Sequence, residues 1–348
     1  MFFVHPDASY LSYIDWRSLG ILWTLMVVIQ GFKENSVFEK IASALVGMVK
    51  SVRLLAAALV FLCFFGSMFI TNDVALLTFV PLALMLLSGC GREDLMIRVV
   101  VLQTIAANMG SMLTPIGNPQ NLYLYGLTQM SLPAFMGCLL PYTLFSALFL
   151  IAGVMLLKRG GERPVMHDRI PTVRHFGSWR QIAVYLVLFT AALLAVLRIL
   201  PWEIAAGLTL ITVLGMDPKI LFRADYILLL TFIGFFLFTG NIGRIPQIHR
   251  TLEELVTGRE FIAGVAVSQV ISNVPATLLL SGFSEDLGEL LAGVNAGGLG
   301  TLIASMASLI SYKSYANACP GQKGRYLLQF TAANLFLLAC LLLLHALL

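Results

Sequence analysis

Long apolar runs follow one another along the chain, divided by short polar breaks, and none shows the strict alternation of a half-buried strand. Runs near the ~20 residues that a bilayer crossing takes predict helical spans at Trp16–Phe32, Leu54–Ile70, Met96–Leu113, Leu132–Leu157, Gln181–Leu200, Ile204–Met216, Tyr226–Thr239, Phe261–Ile271 and Tyr326–Leu347. Val74–Leu87, Ala276–Phe283 and Gly298–Ile310 are apolar but shorter than a crossing. Continuous apolar runs exclude a transmembrane barrel, whose strands alternate lipid-facing and lumen-facing residues. The pattern therefore predicts an all-α integral membrane protein.

One polar stretch divides the chain into two similar parts. Lys158–Arg180 carries six bases against Glu162 and Asp168, and that excess places it on the cytoplasmic side. The flanking parts repeat each other. "YIDWRSLGILWTLMVVIQGF" (Tyr13–Phe32) resembles "FRADYILLLTFIGFFLFTGN" (Phe222–Asn241), with Asp15 and Asp225 ahead of the span and Gly31 and Gly240 at its end. A charged, interfacial segment follows in each, at Lys33–Lys40 and Gly243–Glu254. "SMFITNDVALL" (Ser67–Leu77) then aligns without a gap on "SQVISNVPATL" (Ser268–Leu278) at an offset of 201. "GSMLTPIGN" (Gly110–Asn118) aligns on "GTLIASMAS" (Gly300–Ser308) at an offset of 190. Similar features in one order predict an inverted repeat of the kind found in secondary transporters. Its parts are a first repeat at 13–157, a basic linker at 158–180, linking spans at 181–217 and a second repeat at 222–348.

Composition agrees and adds little. Hydrophobic residues are 59% and charged residues 11% of 348, with a mean hydropathy of +0.89. No soluble fold hides that much apolar surface. The net charge of +4 is better read as a topology signal than as a nucleic-acid footprint, so no nucleic-acid partner is expected. Met1–Tyr13 lacks the basic region of a cleavable signal, and Cys63, Cys90, Cys138, Cys319 and Cys340 have no metal or redox spacing. No Walker motif, H-E-x-x-H or G-x-S-x-G occurs. A non-enzymatic chain that binds no cofactor beyond a coupling ion is expected, and ATP-driven transport by this chain alone is disfavoured.

The candidate chemistry lies where polar residues interrupt the apolar phase, because backbone groups there need partners within the protein. Thr71-Asn72-Asp73 stands between two apolar arms, the second too short to cross, which predicts a re-entrant hairpin with its tip inside the membrane. Ser272-Asn273-Val274 predicts a second. Helix N-termini at such tips suit an anion, and free carbonyls with Ser67 and Asn72 suit Na⁺. Thr114-Pro115-Ile116-Gly117-Asn118-Pro119 breaks one helix, and Thr301–Ser311 mirrors it, giving two discontinuous helices that face the tips. Asp73 is the acid placed deep in the apolar phase; its expected role is cation or proton coupling, and capping of the outgoing arm is compatible with that role.

The "TNDVALL" and "SNVPATL" tips, with "GSMLTPIGNPQN" and "GGLGTLIASMAS", resemble the ion transporter superfamily. That group holds divalent-anion/sodium symporters, citrate transporters, arsenite permeases and NhaD-type sodium/proton antiporters. The sequence is most like a bacterial inner-membrane branch labelled citrate- or anion-transporter-like. The resemblance implies two re-entrant hairpins, elevator-type alternating access in a homodimer, and a prokaryotic inner membrane with its lipid around the protein. It also implies a chain without the extra N-terminal helices of larger members. Carried over, one Na⁺ site would use Ser67, Thr71, Asn72 and backbone near Gly117. The other would use Ser268, Asn273 and backbone near Ile271 and Ala307. Substrate would meet Thr71, Asn72, Asp73, Ser272, Asn273 and Val274, with Thr114 and Asn118 on the facing break. Asp73 and Val274 stand where the symporters have threonines, and a carboxylate there opposes a free dicarboxylate. The expected cargo is a small anion moved with Na⁺ or H⁺. Na⁺/H⁺ antiport centred on Asp73 is the alternative within transport; an ion channel or a non-catalytic membrane subunit is the alternative outside it.

Overall fold

The computed structural model describes residues 10–47, 49, 51–157 and 177–348. Most of the predicted basic linker, residues 158–176, lies outside these. Among the described residues there are helices and turns and no strand.

Among the described residues seventeen α-helices follow in order. The first part holds α1 (Tyr10–Tyr13), α2 (Trp16–Glu34), α3 (Val37–Gly47), α4 (Val52–Ile70), α5 (Asn72–Gly89), α6 (Met96–Ser111), α7 (Pro119–Thr128) and α8 (Leu132–Met155). Two linking helices come next, α9 (Trp179–Val196) and α10 (Trp202–Met216). The second part holds α11 (Tyr226–Gly243), α12 (Pro246–Val256), α13 (Glu260–Ile271), α14 (Asn273–Leu280), α15 (Leu287–Ala296), α16 (Met306–Ala318) and α17 (Lys323–Leu347). Among the described residues six segments are long and apolar enough to cross a bilayer: α4, α5, α8, α9, α11 and Pro320–Leu347. The protein is thus an all-α integral membrane protein.

The same local chemistry starts and ends the matched elements. Asp15 caps α2 by accepting the Ser18 N–H, and Asp225 caps α11 by accepting the Leu228 N–H, both at 3.0 Å. Both caps have φ of −79°. At the other end, Gly31 lies against the Tyr185 ring and Gly240 against the Tyr13 ring, each closer than a Cβ would allow. Of the charged segments that follow, Lys33 and Glu34 end α2 and Val37–Lys40 open α3, while most of the second forms α12.

The structure changes three sequence expectations. The arm expected at Val74–Leu87 is the full helix α5, because Asn72 and Asp73 form its first turn and Ser88–Gly89 its last; at 18 residues it covers roughly 27 Å. Helix α15 is an element that the apolar runs do not predict, being short, with Glu285 and Asp286 ahead of it and Glu289 in its first turn. The breaks are in register at an offset of 187, not 190, as their hydrogen bonds below require.

Two groups of contacts define the ends of the bundle. Arg223 pairs with Glu34, the Gly177 N–H donates to Asn35, Arg53 donates to the Leu157 carbonyl, and Cys319 lies against Met96. These mark the linker end. At the far end Arg17 donates to the carbonyls of Ala195 and Val196, and the Tyr123 and Ser281 hydroxyls meet at 3.1 Å. The α4–α5 hairpin opens at the linker end, whereas the α13–α14 hairpin opens at the far end.

Candidate functional site

Each hairpin turns on a single residue. Helix α4 ends at Ile70 and α5 starts at Asn72, leaving Thr71 with φ 68° and ψ 151°. Ser272 between α13 and α14 has φ 74° and ψ 155°. This is a region that glycine alone occupies readily, and a residue with a Cβ held there costs on the order of 1–3 kcal/mol. The same strained conformation recurs at matched places in the two tips.

Surrounding groups fix the two turns in the same way. The Asn72 N–H donates to the Gly117 carbonyl at 3.1 Å, and the Asn273 N–H donates to the Ala304 carbonyl at 3.0 Å. Each asparagine then turns its Oδ1 to the next N–H, of Asp73 (2.9 Å) and of Val274 (3.0 Å). On the facing break Thr114 Oγ1 donates to the Met68 carbonyl at 2.6 Å, and Thr301 Oγ1 donates to the Gln269 carbonyl at 3.2 Å. Gly117 to Ala304 and Thr114 to Thr301 are both steps of 187. Ala304, and not Ala307, therefore takes the place equivalent to Gly117; Ala307 lies buried within α16.

The breaks keep their backbone groups paired by different means. In the first, Asn121 Nδ2 reaches the carbonyls of Ser111, Met112 and Thr114, and Asn118 caps α7 through the Asn121 N–H. Gly117 is required there: a Cβ would stand 2.0 Å from the Ser111 oxygen. In the second, Gln269 Nε2 donates to the Gly297 and Leu299 carbonyls, both at 2.9 Å, and its Oε1 accepts the Thr301 N–H.

Four helix N-termini converge here, those of α5, α7, α14 and α16, each the positive end of a helix dipole. Beside them lies a cavity of about 310 Å³, reached by Thr71, Asp73, Asn118 and Met306 and walled on its other side by α2 and the start of α11. Asp73 and Asp225 are its carboxylates among the described residues, and Gln30, Lys33 and Arg223 stand towards the linker end. The bond to Glu34 pushes the Arg223 guanidinium pKa up. The cavity takes in three of the expected substrate residues, Thr71, Asp73 and Asn118. Ser272, Asn273 and Val274 are buried beyond it, and Asn72 is buried behind the first tip. Ser67 and Ser268 sit inside α4 and α13 and donate to the carbonyls of Phe64 (3.0 Å) and Gly264 (2.6 Å). Ile271 ends α13 just ahead of the second tip.

Four polar residues of this centre have no role assigned from the sequence: Asn108, Asn295 and, inside segments already singled out, Ser305 and Gln269. "NMGSMLTPIGN" from Asn108 and "NAGGLGTLIAS" from Asn295 would have shown the first three, once slid to the offset of 187.

A helical membrane protein whose two strained tips face two interrupted helices has the architecture of a transporter. The chain belongs to the citrate transporter family, whose model matches residues 1–310. It is 31% identical over 318 residues to the uncharacterized transporter MJ0456 of Methanocaldococcus jannaschii, covering 90% of this chain and 85% of that protein. It is 30% identical over 321 residues to the inner membrane protein YbiR of Escherichia coli, covering 88% and 81%. The uncharacterized transporter Rv2685 of Mycobacterium tuberculosis is 26% identical over 325 residues.

Proposed function

We propose that this transporter is a secondary active carrier that moves a small anion together with Na⁺ or H⁺, holding the cargo between the two hairpin tips. The observation that carries the reading is the matched pair of strained tips, Thr71 and Ser272, each tied through the next N–H to a carbonyl of a broken helix. Convergent N-termini supply the positive potential that an anion needs without an intramembrane base. Asp73 beside them opposes a bare anion, so the cargo arrives with a proton or Na⁺ that neutralises the carboxylate. Carbonyls at the ends of α4 and α13, with Asn72 and Asn273, are the oxygen donors for Na⁺.

The short arms of the second hairpin support placing its tip inside the membrane, whereas α4 and α5 are each long enough to cross. Helix α5 reaches roughly 27 Å from the linker end, and α13, at 12 residues, roughly 18 Å from the far end. The two reaches together match the ~40–45 Å of a bilayer with its headgroups. The cavity beside Asp73 is then the cargo chamber seen from the linker end. That end is cytoplasmic if the basic linker obeys the positive-inside rule. A prokaryotic inner membrane, a homodimer and elevator-type movement complete the reading. Asp225 on the opposite wall of the chamber favours one second reading, Na⁺/H⁺ antiport, since two carboxylates there suit a cation shuttle.

Uptake by proteoliposomes separates the two. A panel of radiolabelled small anions and oxyanions is offered under inward Na⁺, inward H⁺ or no gradient. Gradient-driven accumulation of one anion, lost in Asp73→Asn, supports the first reading. Na⁺-driven proton efflux with no anion required supports the second, and voltage-following flux without coupling sinks both.

A further inference from the structure

Asn108 and Asn295 occupy equivalent places near the ends of α6 and α15, 187 positions apart, and both are buried. Each reaches out of its own half. Asn108 Nδ2 donates to the Gly298 carbonyl and to Ser308 Oγ, both at 3.4 Å, while its Oδ1 accepts from Ser305 Oγ at 3.0 Å. Asn295 Oδ1 accepts from Asn118 Nδ2 at 3.1 Å, and its Nδ2 donates to Asn121 Oδ1 at 2.7 Å. Under the 187 shift, Ser305 and Ser308 are the counterparts of Asn118 and Asn121. One contact is therefore made twice, in opposite directions.

We propose that Asn108 and Asn295 are reciprocal positioning residues, through which each half holds the other half's broken helix in shape for its tip. The proposal rests on the carrier reading above, because it supplies what joins the two tips. Interhelical glue alone would be satisfied by any pair of polar groups on facing helices. These two instead grip the cap residues that start α7 and α16, next to the carbonyls that hold the tips. Asn108 continues the link to its own tip, since its Oδ1 also accepts from Asn72 Nδ2 at 3.2 Å. A continuous path thus runs from Asn72 through Asn108 to Ser305, whose neighbour Ala304 presents its carbonyl to the Asn273 N–H. A cation that orders the first tip also orders the second, so the tips fill as a cooperative pair.

Hydrogen exchange on the full-length protein in lipid nanodiscs tests this, read on peptides spanning 112–121 and 297–308, with NaCl or choline chloride present. The amides of Gly117, Asn121, Thr301 and Ala304 report on the two breaks, because each is hydrogen-bonded within its own half. Asn108→Ala is expected to speed exchange of 297–308 by roughly threefold to tenfold, the equivalent of a lost hydrogen bond, and to change 112–121 less. Asn295→Ala should do the reverse. If either alanine variant fails to fold, Asn108→Asp, which keeps an oxygen for Asn72 and Ser305 but turns a carboxylate oxygen in place of the donor towards the Gly298 carbonyl, should still loosen 297–308. In the wild type, Na⁺ should slow both segments with one shared midpoint, and Asn108→Ala should split that midpoint in two. Faster exchange confined to each variant's own half overturns the assignment. A crossed pattern with no response to Na⁺ supports the positioning role and instead sinks the cation sites of the carrier reading.

Discussion

The two hairpins share one turn and differ in almost everything that supports it. Both tips hold a hydroxyl residue at positive φ, both give the next N–H to a break carbonyl, and both asparagines cap the N–H that follows. Yet the first hairpin runs on 19- and 18-residue arms and ends beside an open cavity with a carboxylate. The second has arms of 12 and 8 residues and is closed over by its surroundings, with Val274 in place of Asp73. On the proposed carrier reading, the shared turn is what a site between the two tips needs, and the difference around it is where a direction and a coupling ion would enter.

The largest expected effect comes from the close approach of helices behind the tips. A Cβ on Gly110 would stand 2.0 Å from the Phe64 carbonyl oxygen, whereas one on the matched Gly297 would meet the Ser268 side chain at 2.9 Å. Gly110→Ala should therefore cost about 3 kcal/mol or more and Gly297→Ala about 1 kcal/mol. Melting of the purified proteins in detergent checks this, and equal losses would show that the two helix pairs are packed alike. Next comes the charge that one tip has and the other lacks. Asp73→Asn should reduce coupling of cargo to cation by roughly 5–150-fold, the usual span of a coupling free energy. Val274→Asn should leave coupling within about twofold, since no charge is lost there. Gradient-driven uptake measured for both variants decides whether coupling resides in the first tip.

The breaks differ in how their carbonyls are paired, and that difference is testable at a smaller scale. Gln269→Met gives the second half the residue that Met68 provides in the first, and it strands the Gly297 and Leu299 carbonyls. A loss of about 1–3 kcal/mol in thermal stability is expected, as for unpaired buried polar groups. Met68→Gln should gain nothing, because Asn121 already serves the first break. Smallest are the tips themselves. Thr71→Gly and Ser272→Gly should each raise stability by about 1 kcal/mol through relief of the positive-φ conformation, while lowering transport. Equal gains would confirm that the two tips carry the same strain, and a gain at one alone would break the symmetry.

Much of the architecture was legible because the informative residues were few and repeated. In an apolar chain, Thr71-Asn72 and Ser272-Asn273 stand out at a fixed offset, and the prolines at 115 and 119 announce a break. The register of the second break was not legible. Gly110 aligns by eye on Gly300, and only the hydrogen bonds to Gly117 and Ala304 show that Gly297 is its counterpart. The offset shrinks between the tips and the breaks because α5 and α6 are longer than their counterparts α14 and α15, and the sequence does not show where an apolar arm ends. Asn108 and Asn295 were hidden for another reason: a single asparagine in an apolar run has no local signature, and its meaning lies in the half it touches.

The central claim is that both tips lie within the membrane at one site that opens alternately to its two sides. Thr71→Cys and Ser272→Cys, each on a cysteine-free background, can be treated with a membrane-impermeant thiol reagent in right-side-out and everted vesicles. Two ordinary loops would give a fixed result, because the hairpins open at opposite ends: each cysteine would label from one side only, and the two sides would be opposite. The account predicts instead that both cysteines label from both sides under transport conditions. Fixed, opposite labelling of the two tips would contradict it.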